Sequence, residues 1–161
     1  LSMKHLGLFM NKTFSGRLNE DRIKAIRDRW NGKLVVKGIV NEEDCEKVHR
    51  LGADGIIASN HGGRQLDAGQ STIRPIPSLA ESYGDKLTVM IDSGLRGGPD
   101  IACSLASGAR FTFLGRSFMY GVGALGRSGG DHTISMIKRQ LQQVMEQLAC
   151  ERVTDFPNHL V

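Results

Sequence analysis

The sequence predicts an α/β protein built around a parallel β-sheet. From residue 34 onward, short apolar segments alternate with amphipathic helical segments, which is the pattern of repeated strand–helix units. The apolar segments are nearly continuous, as expected for strands that helices cover on both faces. Four such units fit an open sheet or half of a (β/α) barrel, because a full eight-unit barrel needs roughly 250 residues and the chain has 161.

The first strand–helix unit is the most clearly marked. Residues 34–38 are rich in β-branched side chains and predict a strand. Asn41 suits the N-cap of a helix over 42–51, because its side chain can accept a hydrogen bond from the first turn, where acidic residues also favour the helix dipole. Gly52 suits the residue just after this helix.

The remaining elements follow from the same reasoning. Pro99 fits the first turn of a helix that Gly108 ends. The last helix has a strong apolar stripe that we expect to be core: Ile134, Ile137, Leu141, Val144 and Leu148. A helix before the first strand carries Ile23, Ile26 and Trp30 on one side. Strands are predicted at 55–59, 87–91 and 111–114, and helices at 20–30, 73–83, 117–125 and 131–149.

The composition indicates a globular protein and gives little support for nucleic-acid binding. The net charge of +4 is not gathered into a basic run, and aromatic residues are few. Three cysteines lie far apart, and Cys45 and Cys103 fall on apolar helix faces, so we interpret them as core thiols in a reducing compartment. With no signal peptide and no long apolar run, we expect a cytoplasmic protein, free or bound peripherally to the inner face of a membrane.

The stretch from Ser59 to Asp67 carries the most chemical information. His61 and Arg64 lie three residues apart on a glycine-containing loop just after the predicted second strand. An imidazole can take a proton near neutral pH, and a guanidinium can bind a carboxylate through two parallel hydrogen bonds. Together they suit an acid substrate in which a neighbouring C–H or O–H bond is broken. The alternative is a polar loop that caps a strand.

Polar residues also follow the other strands at their carboxyl ends, where barrel enzymes place their sites. Lys37 ends the first strand, where an ammonium suits negative charge on a bound ring or enolate; the alternative is a lysine that reaches into solvent. The loops 92–98 and 115–117 combine glycines with Arg96 and Arg116, so they suit a phosphate group. Glycine-rich turns are also common as simple tight connections.

These motifs resemble those of the FMN-dependent 2-hydroxy acid oxidising enzymes, a family that includes L-lactate dehydrogenases, glycolate oxidases and mandelate dehydrogenases. The likeness runs from about residue 20 to the C-terminus and rests on Val36-Lys37-Gly38, Ser59 to Asp67, Asp92 to Arg96 and Leu114-Gly115-Arg116. It implies the C-terminal half, strands five to eight, of a (β/α)8 TIM barrel, plus a C-terminal amphipathic helix. Residues 1–18 would belong to the variable loop after the fourth strand, and 19–161 to half of an FMN-binding barrel domain.

The resemblance also implies roles for individual residues. FMN would be the cofactor, with Lys37 at the pyrimidine edge of the flavin and Ser59 touching the ring. His61 would be the catalytic base, and Arg64 would bind the carboxylate of the substrate. The ribityl phosphate end of FMN would be bound by Asp92, Ser93, Gly94, Leu95, Arg96, Gly115 and Arg116.

The implied reaction is oxidation of a lactate-like L-2-hydroxy acid to the 2-keto acid, with two electrons passed to FMN. His61 would take a proton from the hydroxyl as hydride leaves, or from the α-carbon, and the sequence favours neither route. The family's N-terminal half supplies a tyrosine, a second arginine and the aspartate that orients the histidine. We therefore expect this chain to be a fragment that is inactive without that half. The resemblance also implies a homo-oligomer, a tetramer.

Two other functions fit parts of the pattern. One is a barrel isomerase or lyase for phosphate esters, with Lys37 as a reactive amine and no flavin. The other is a non-catalytic half-barrel that pairs with itself. Bound flavin would distinguish the oxidoreductase from the first alternative, whereas the second predicts that His61→Ala alters no activity.

Overall fold

The structure is a computed structural model that describes residues 5–9 and 18–159. Its centre is a four-stranded sheet in the order β1-β2-β3-β4, and every neighbouring pair is parallel. The strands are β1 (Val35–Lys37), β2 (Gly55–Ala58), β3 (Thr88–Ile91) and β4 (Phe111–Thr112). A helix follows each strand in the chain, so the predicted α/β fold with a parallel sheet is confirmed.

The helices lie close to the predicted positions. They are α1 (Glu20–Arg29), α2 (Glu42–Arg50), α3 (Ile76–Tyr83), α4 (Gly98–Ala106), α5 (Arg116–Leu125) and α6 (Gly129–Gln147). Short 3-10 helices span His61–Gly63, Gly126–Ser128 and Val153–His159. Residues 5–9 are helical where we expected a loop, and the rest of the predicted loop, apart from residue 18, lies outside the described residues.

Local side-chain chemistry accounts for the helix boundaries. The Oδ1 atom of Asn41 accepts a hydrogen bond from the N–H of Asp44 at 2.8 Å, so the predicted N-cap is confirmed. Gly52, just past α2, has φ +81°, a conformation that glycine adopts without a steric penalty. Pro99 lies in the first turn of α4, where its missing N–H has no helical partner to lose.

The core lies between the sheet and the helices. Its side chains that are at most 1% exposed include Ile56, Ile76, Leu79, Val89 and Ile91. Because all four strands run parallel, their carboxyl ends meet at one end of the sheet. The loops that leave this end, residues 37–38, 59–67, 92–97 and 113–116, are called the mouth below.

The opposite end of the sheet is held by an acidic residue. Asp54, just before β2, accepts hydrogen bonds from the Nζ of Lys33 at 2.8 Å, from the N–H of Leu34 at 2.8 Å and from Arg27 at 3.3 Å. These contacts join α1, the start of β1 and the start of β2. The Asp54 cluster thus fixes the amino ends of two strands, far from the mouth.

Several apolar residues are more exposed than the sequence predicted. Cys45 is fully buried, but Cys103 is exposed, so its interpretation as a core thiol is wrong. The buried face of α4 is formed by its neighbours Ile101, Ala102 and Ser104, and Cys103 points away from them. In α6, Ile137 is buried, whereas Ile134 and Leu148 at the two ends of the stripe are 47% and 37% exposed.

The outer strands also expose apolar side chains. Among the described residues, β1 pairs only with β2 and β4 only with β3, so each has one edge without a strand partner. Exposed apolar residues lie on or near these edges: Trp30, Val35, Phe111, Phe113, Met119 and Tyr120. Ile23 is the buried member of the α1 stripe, and Ile26 is 46% exposed. Across the described ranges, no helix combines the length and apolarity needed to cross a membrane.

Candidate active site

The mouth brings all four loops around one cavity. Its volume is about 430 Å³, within the range of roughly 300–1,000 Å³ that is typical of ligand pockets. Predicted site residues from every strand end line it: Lys37, His61, Arg64, residues 92–96, Gly115 and Arg116. A second hollow of about 480 Å³ shares Lys37 and His61 with the first and is also lined by Ser59. All the predicted site residues therefore converge on two adjoining hollows.

Lys37 and Asp92 form an ion pair across the mouth. The Nζ of Lys37 lies 2.7 Å from Oδ2 of Asp92 and donates a hydrogen bond to the Oγ of Ser59 at 2.9 Å. Burial by itself raises the pKa of the Asp92 carboxyl, but hydrogen bonds from Lys37, Ser59 and Ser93 outweigh it and hold this pKa below its usual value. The carboxylate therefore stays charged and keeps the ammonium in place.

The turn that carries His61 has an unusual backbone. His61, Gly62 and Gly63 have φ values of +58°, +70° and +74°, all in the left-handed region. Within the turn, Oδ1 of Asn60 accepts a hydrogen bond from the N–H of Gly62 at 3.0 Å, and the buried Oγ of Ser59 accepts one from the N–H of His61 at 3.1 Å. The turn thus presents the exposed His61 side chain to both hollows.

Arg64 lies beside His61 at the same cavity. Its Nε donates a hydrogen bond to the carbonyl of His61 at 3.2 Å, which joins the guanidinium to the turn. The side chain is exposed and lines the cavity of about 430 Å³ together with His61. A carboxylate bound by Arg64 would therefore lie next to His61, as the spacing predicted.

The two glycine–arginine loops line the same cavity. A Cβ placed on Gly94 or on Gly115 would meet no atom within 4 Å, so the backbone there faces open space. Gly115 precedes α5, whose N-terminus carries a partial positive charge. Arg96 and Arg116 line the same space, and Nη2 of Arg116 also donates a hydrogen bond to the carbonyl of Gly62 at 2.7 Å. This donor set suits a phosphate group.

Sequence reasoning missed several residues that shape the mouth. Thr72 is 2% exposed, and its Oγ1 donates to the carbonyls of Asp92 at 2.8 Å and Ser93 at 3.3 Å. The buried Ser117 donates to the carbonyl of Arg96 at 2.7 Å and so joins α5 to the loop after β3. Thr72 stands in a segment without a distinctive motif, and Ser117 ends the loop 115–117, where the sequence pattern pointed to Arg116 and the glycine. The role of both hydroxyls depends on contacts between loops far apart in the chain.

Sequence comparison matches this chain to L-lactate dehydrogenases. L-lactate dehydrogenase of Actinobacillus pleuropneumoniae serotype 5b is 38% identical over 148 residues, which is 92% of this chain and 39% of that protein. L-lactate dehydrogenase of Caulobacter sp. strain K31 is 44% identical over 120 residues, 74% of this chain and 32% of that protein. The chain thus spans less than half the length of the curated relatives it matches.

Solved structures agree with the sequence comparison. A soluble mutant of the membrane-associated (S)-mandelate dehydrogenase from Pseudomonas putida superposes with a TM-score of 0.82 at 38% identity, covering 86% of this chain and 39% of that one. Mandelate oxidase with benzoyl-formic acid gives a TM-score of 0.84 at 29% identity, covering 88% of this chain and 42% of that one. These neighbours are TIM-barrel flavoenzymes, so the prediction of half a (β/α)8 barrel is confirmed. The FMN-dependent dehydrogenase family matches residues 2–161, and the chain belongs to that family.

Proposed function

We propose that this chain carries the catalytic loops of an FMN-dependent enzyme that oxidises a lactate-like L-2-hydroxy acid to the 2-keto acid. The observation that carries the proposal is the convergence of Lys37, His61 and Arg64 with two glycine–arginine loops on one cavity. Names of the relatives support the substrate class, since they include L-lactate dehydrogenases and a mandelate dehydrogenase.

The residues of the mouth fit FMN. Arg96 and Arg116, with the open backbone at Gly94 and Gly115, would hold the phosphate, because they offer charged donors and unobstructed N–H groups. The Lys37 ammonium, which lines the same cavity, would face the ring. When bound, FMN supplies the two-electron acceptor that amino-acid side chains lack.

Residues of this chain would then bind the substrate and accept its proton. Arg64 would bind the carboxylate and so orient the α-carbon. His61 would take a proton from the hydroxyl or from the α-carbon, and both routes need a neutral imidazole next to the substrate. Lys37 uses its ammonium protons to bind Asp92 and Ser59, which is the arrangement of a structural cation rather than of a reactive amine. This geometry disfavours the lyase alternative.

We further propose that the remainder of the protein covers the two open edges of the sheet. The exposed residues Val35, Phe111 and Phe113 at these edges would then become buried. The same part of the protein would complete the cavity, and assembly into a homo-oligomer would follow, as the resemblance implies. A cytoplasmic location with peripheral attachment to the inner face of a membrane fits the description of the mandelate dehydrogenase relative as membrane-associated.

The proposal is tested with the full-length protein. We expect it to bind flavin, seen by absorbance, and to reduce a dye when supplied with L-lactate, (S)-mandelate or glycolate. His61→Gln should lower kcat by about 10²–10⁴-fold while flavin stays bound, since general acid–base groups contribute that much. His132→Gln is the matched control, because His132 is an exposed residue of α6 outside both hollows.

Two results would overturn the proposal. A full-length protein that binds no flavin would remove the oxidoreductase assignment. Full turnover in His61→Gln would remove His61 from the chemistry. The 161-residue chain is expected to show no turnover by itself, and robust turnover would contradict the need for the remainder of the barrel.

A further inference from the structure

Ser93 adopts a backbone conformation that serine rarely takes. Its φ is +72°, and Gly94 follows with φ +88°. A side chain at positive φ brings Cβ too close to the backbone, a steric penalty that glycine avoids. A glycine at position 93 would fit this turn more easily. The serine hydroxyl is therefore the feature that a glycine could not supply.

The hydroxyl of Ser93 contacts two other parts of the mouth. Its Oγ donates a hydrogen bond to Oδ1 of Asp92 at 2.8 Å and accepts one from the N–H of Gly62 at 3.0 Å. It also lies 3.5 Å from the Oγ of Ser59. The hydroxyl proton is thus directed to the carboxylate that pairs with Lys37, and the lone pairs face the turn that carries His61.

The hydrogen bond between Gly62 and Ser93 connects the turn to a different loop of the mouth. Asn60 bonds to the turn from the adjacent position and shapes it locally, whereas the Oγ of Ser59 accepts from the N–H of His61 and also from Lys37 at the end of β1. Within the described part of the chain, the N–H of Gly62 donates to the Oγ of Ser93, and the carbonyl of Gly62 accepts from Arg116. These two hydrogen bonds join the turn to the loops after β3 and β4. Three consecutive left-handed residues need such external support to hold one orientation.

We propose that Ser93 is a positioning residue for His61. Its hydroxyl accepts the hydrogen bond from the N–H of Gly62 and so fixes the direction in which the imidazole of His61 enters the cavity. The same hydroxyl donates to Asp92 and so connects the turn to the Lys37–Asp92 pair. This inference rests on the proposed function, in which His61 is the base. The positioning role is separate from the role at the ribityl phosphate end of FMN that the resemblance implied for Ser93, and the flavin content of the variants distinguishes the two.

The test uses Ser93→Gly and Ser93→Ala in the full-length protein. Both remove the hydroxyl, but only glycine also relieves the backbone. We expect kcat to fall by about 10–100-fold in both variants, because small misplacements of a reacting group have effects of that order. KM and the flavin content should stay within about twofold of the wild type, and Ser93→Gly should melt above Ser93→Ala. Ser107→Ala, at the far end of α4, is the matched control.

A second readout is independent of turnover. Hydrogen exchange at the amide of Gly62 should become faster in both Ser93 variants and remain unchanged in Ser107→Ala. Unchanged exchange would refute the contact even if the wild-type protein oxidised no 2-hydroxy acid, a result that would separately overturn the proposed function. Normal kcat in Ser93→Gly, or loss of flavin from both variants, would also refute the positioning role.

Discussion

The Nζ of Lys37 and the Oδ2 of Asp92 lie 2.7 Å apart and join the ends of β1 and β3, two strands that are not neighbours in the sheet. The pair places a half-buried carboxylate beside the cavity without adding net negative charge there. An anionic cofactor or substrate therefore meets the positive charge of Arg64, Arg96 and Arg116 without repulsion from Asp92.

The first prediction concerns the pH dependence of stability. The pKa of Asp92 is lowered in the folded protein, so its contribution is present above the unfolded-state value of about 3.9 and is lost as pH falls through the folded-state value. Asp92→Asn should lower the free energy of unfolding by about 1–3 kcal/mol at pH 7. Urea titrations should show a smaller difference near pH 3, whereas Asp85→Asn, at an exposed site, should change little at either pH. A deficit that stays constant with pH would contradict this account.

The second prediction concerns Thr72. Thr72→Val keeps the shape of the side chain but leaves the carbonyls of Asp92 and Ser93 without the hydroxyl donor. We expect a loss of about 1–3 kcal/mol in the free energy of unfolding, which is the usual effect of leaving buried polar groups unpaired. Thr88→Val on β3 is the matched control, because Thr88 is exposed. Equal stability of the two variants would show that the Thr72 hydroxyl is dispensable.

The third prediction concerns the packing of α5 on α6. A Cβ on Gly129 would overlap the backbone of Gly121 and Val122, whereas a Cβ on the next residue, Gly130, would meet nothing within 4 Å. Gly129→Ala should therefore destabilise the protein by about 1–3 kcal/mol through overpacking. Gly130→Ala should be neutral or stabilise by up to about 1 kcal/mol, because alanine favours a helix. Thermal unfolding of the two variants compares the adjacent sites directly.

The fourth prediction concerns thiol reactivity. Burial, together with nearby Glu46 and Glu42, raises the pKa of Cys45 to about 11, so only about one thiol in a thousand is ionised at pH 8. Burial also raises the pKa of Cys150, whereas Cys103 is exposed. Iodoacetamide should therefore label Cys103 first in the native protein, and the other two only after unfolding. Peptide mass spectrometry measures the order, and early labelling of Cys45 would contradict the buried position.

Much of the fold could be predicted because the signals are local. Asn41, Gly52 and Pro99 mark helix ends through their own backbone and side-chain chemistry, and the structure confirms all three. The predicted end of β4, residue 114, lies two residues beyond the end of the strand. Strand β4 covers two residues, although the N–H of Phe113 still donates to the carbonyl of Ile91 at 2.9 Å, so pairing continues slightly beyond it.

The parts that could not be predicted depend on distant contacts. The 3-10 helix Val153–His159 has no periodic stripe, and it buries Phe156 against α4 through tertiary packing. Ile134 and Leu148 were predicted to be core residues but are exposed, because apolar spacing does not reveal how much of a helix face finds a partner. The positions of the candidate site residues were predicted from motifs, whereas the contact between Ser93 and Gly62 joins loops 31 residues apart and leaves no local pattern.

The Asp54 cluster lies at the amino ends of the strands, and the loops that would meet substrate lie at their carboxyl ends. The residues that hold the amino ends of the strands are therefore different from the residues that line the mouth. Substitutions that alter what the mouth binds can therefore occur without changing the contacts of Asp54 at the opposite end of the sheet. Substitution of Arg27 or Lys33 would thus alter the contacts of Asp54 and leave the residues that line the cavity unchanged.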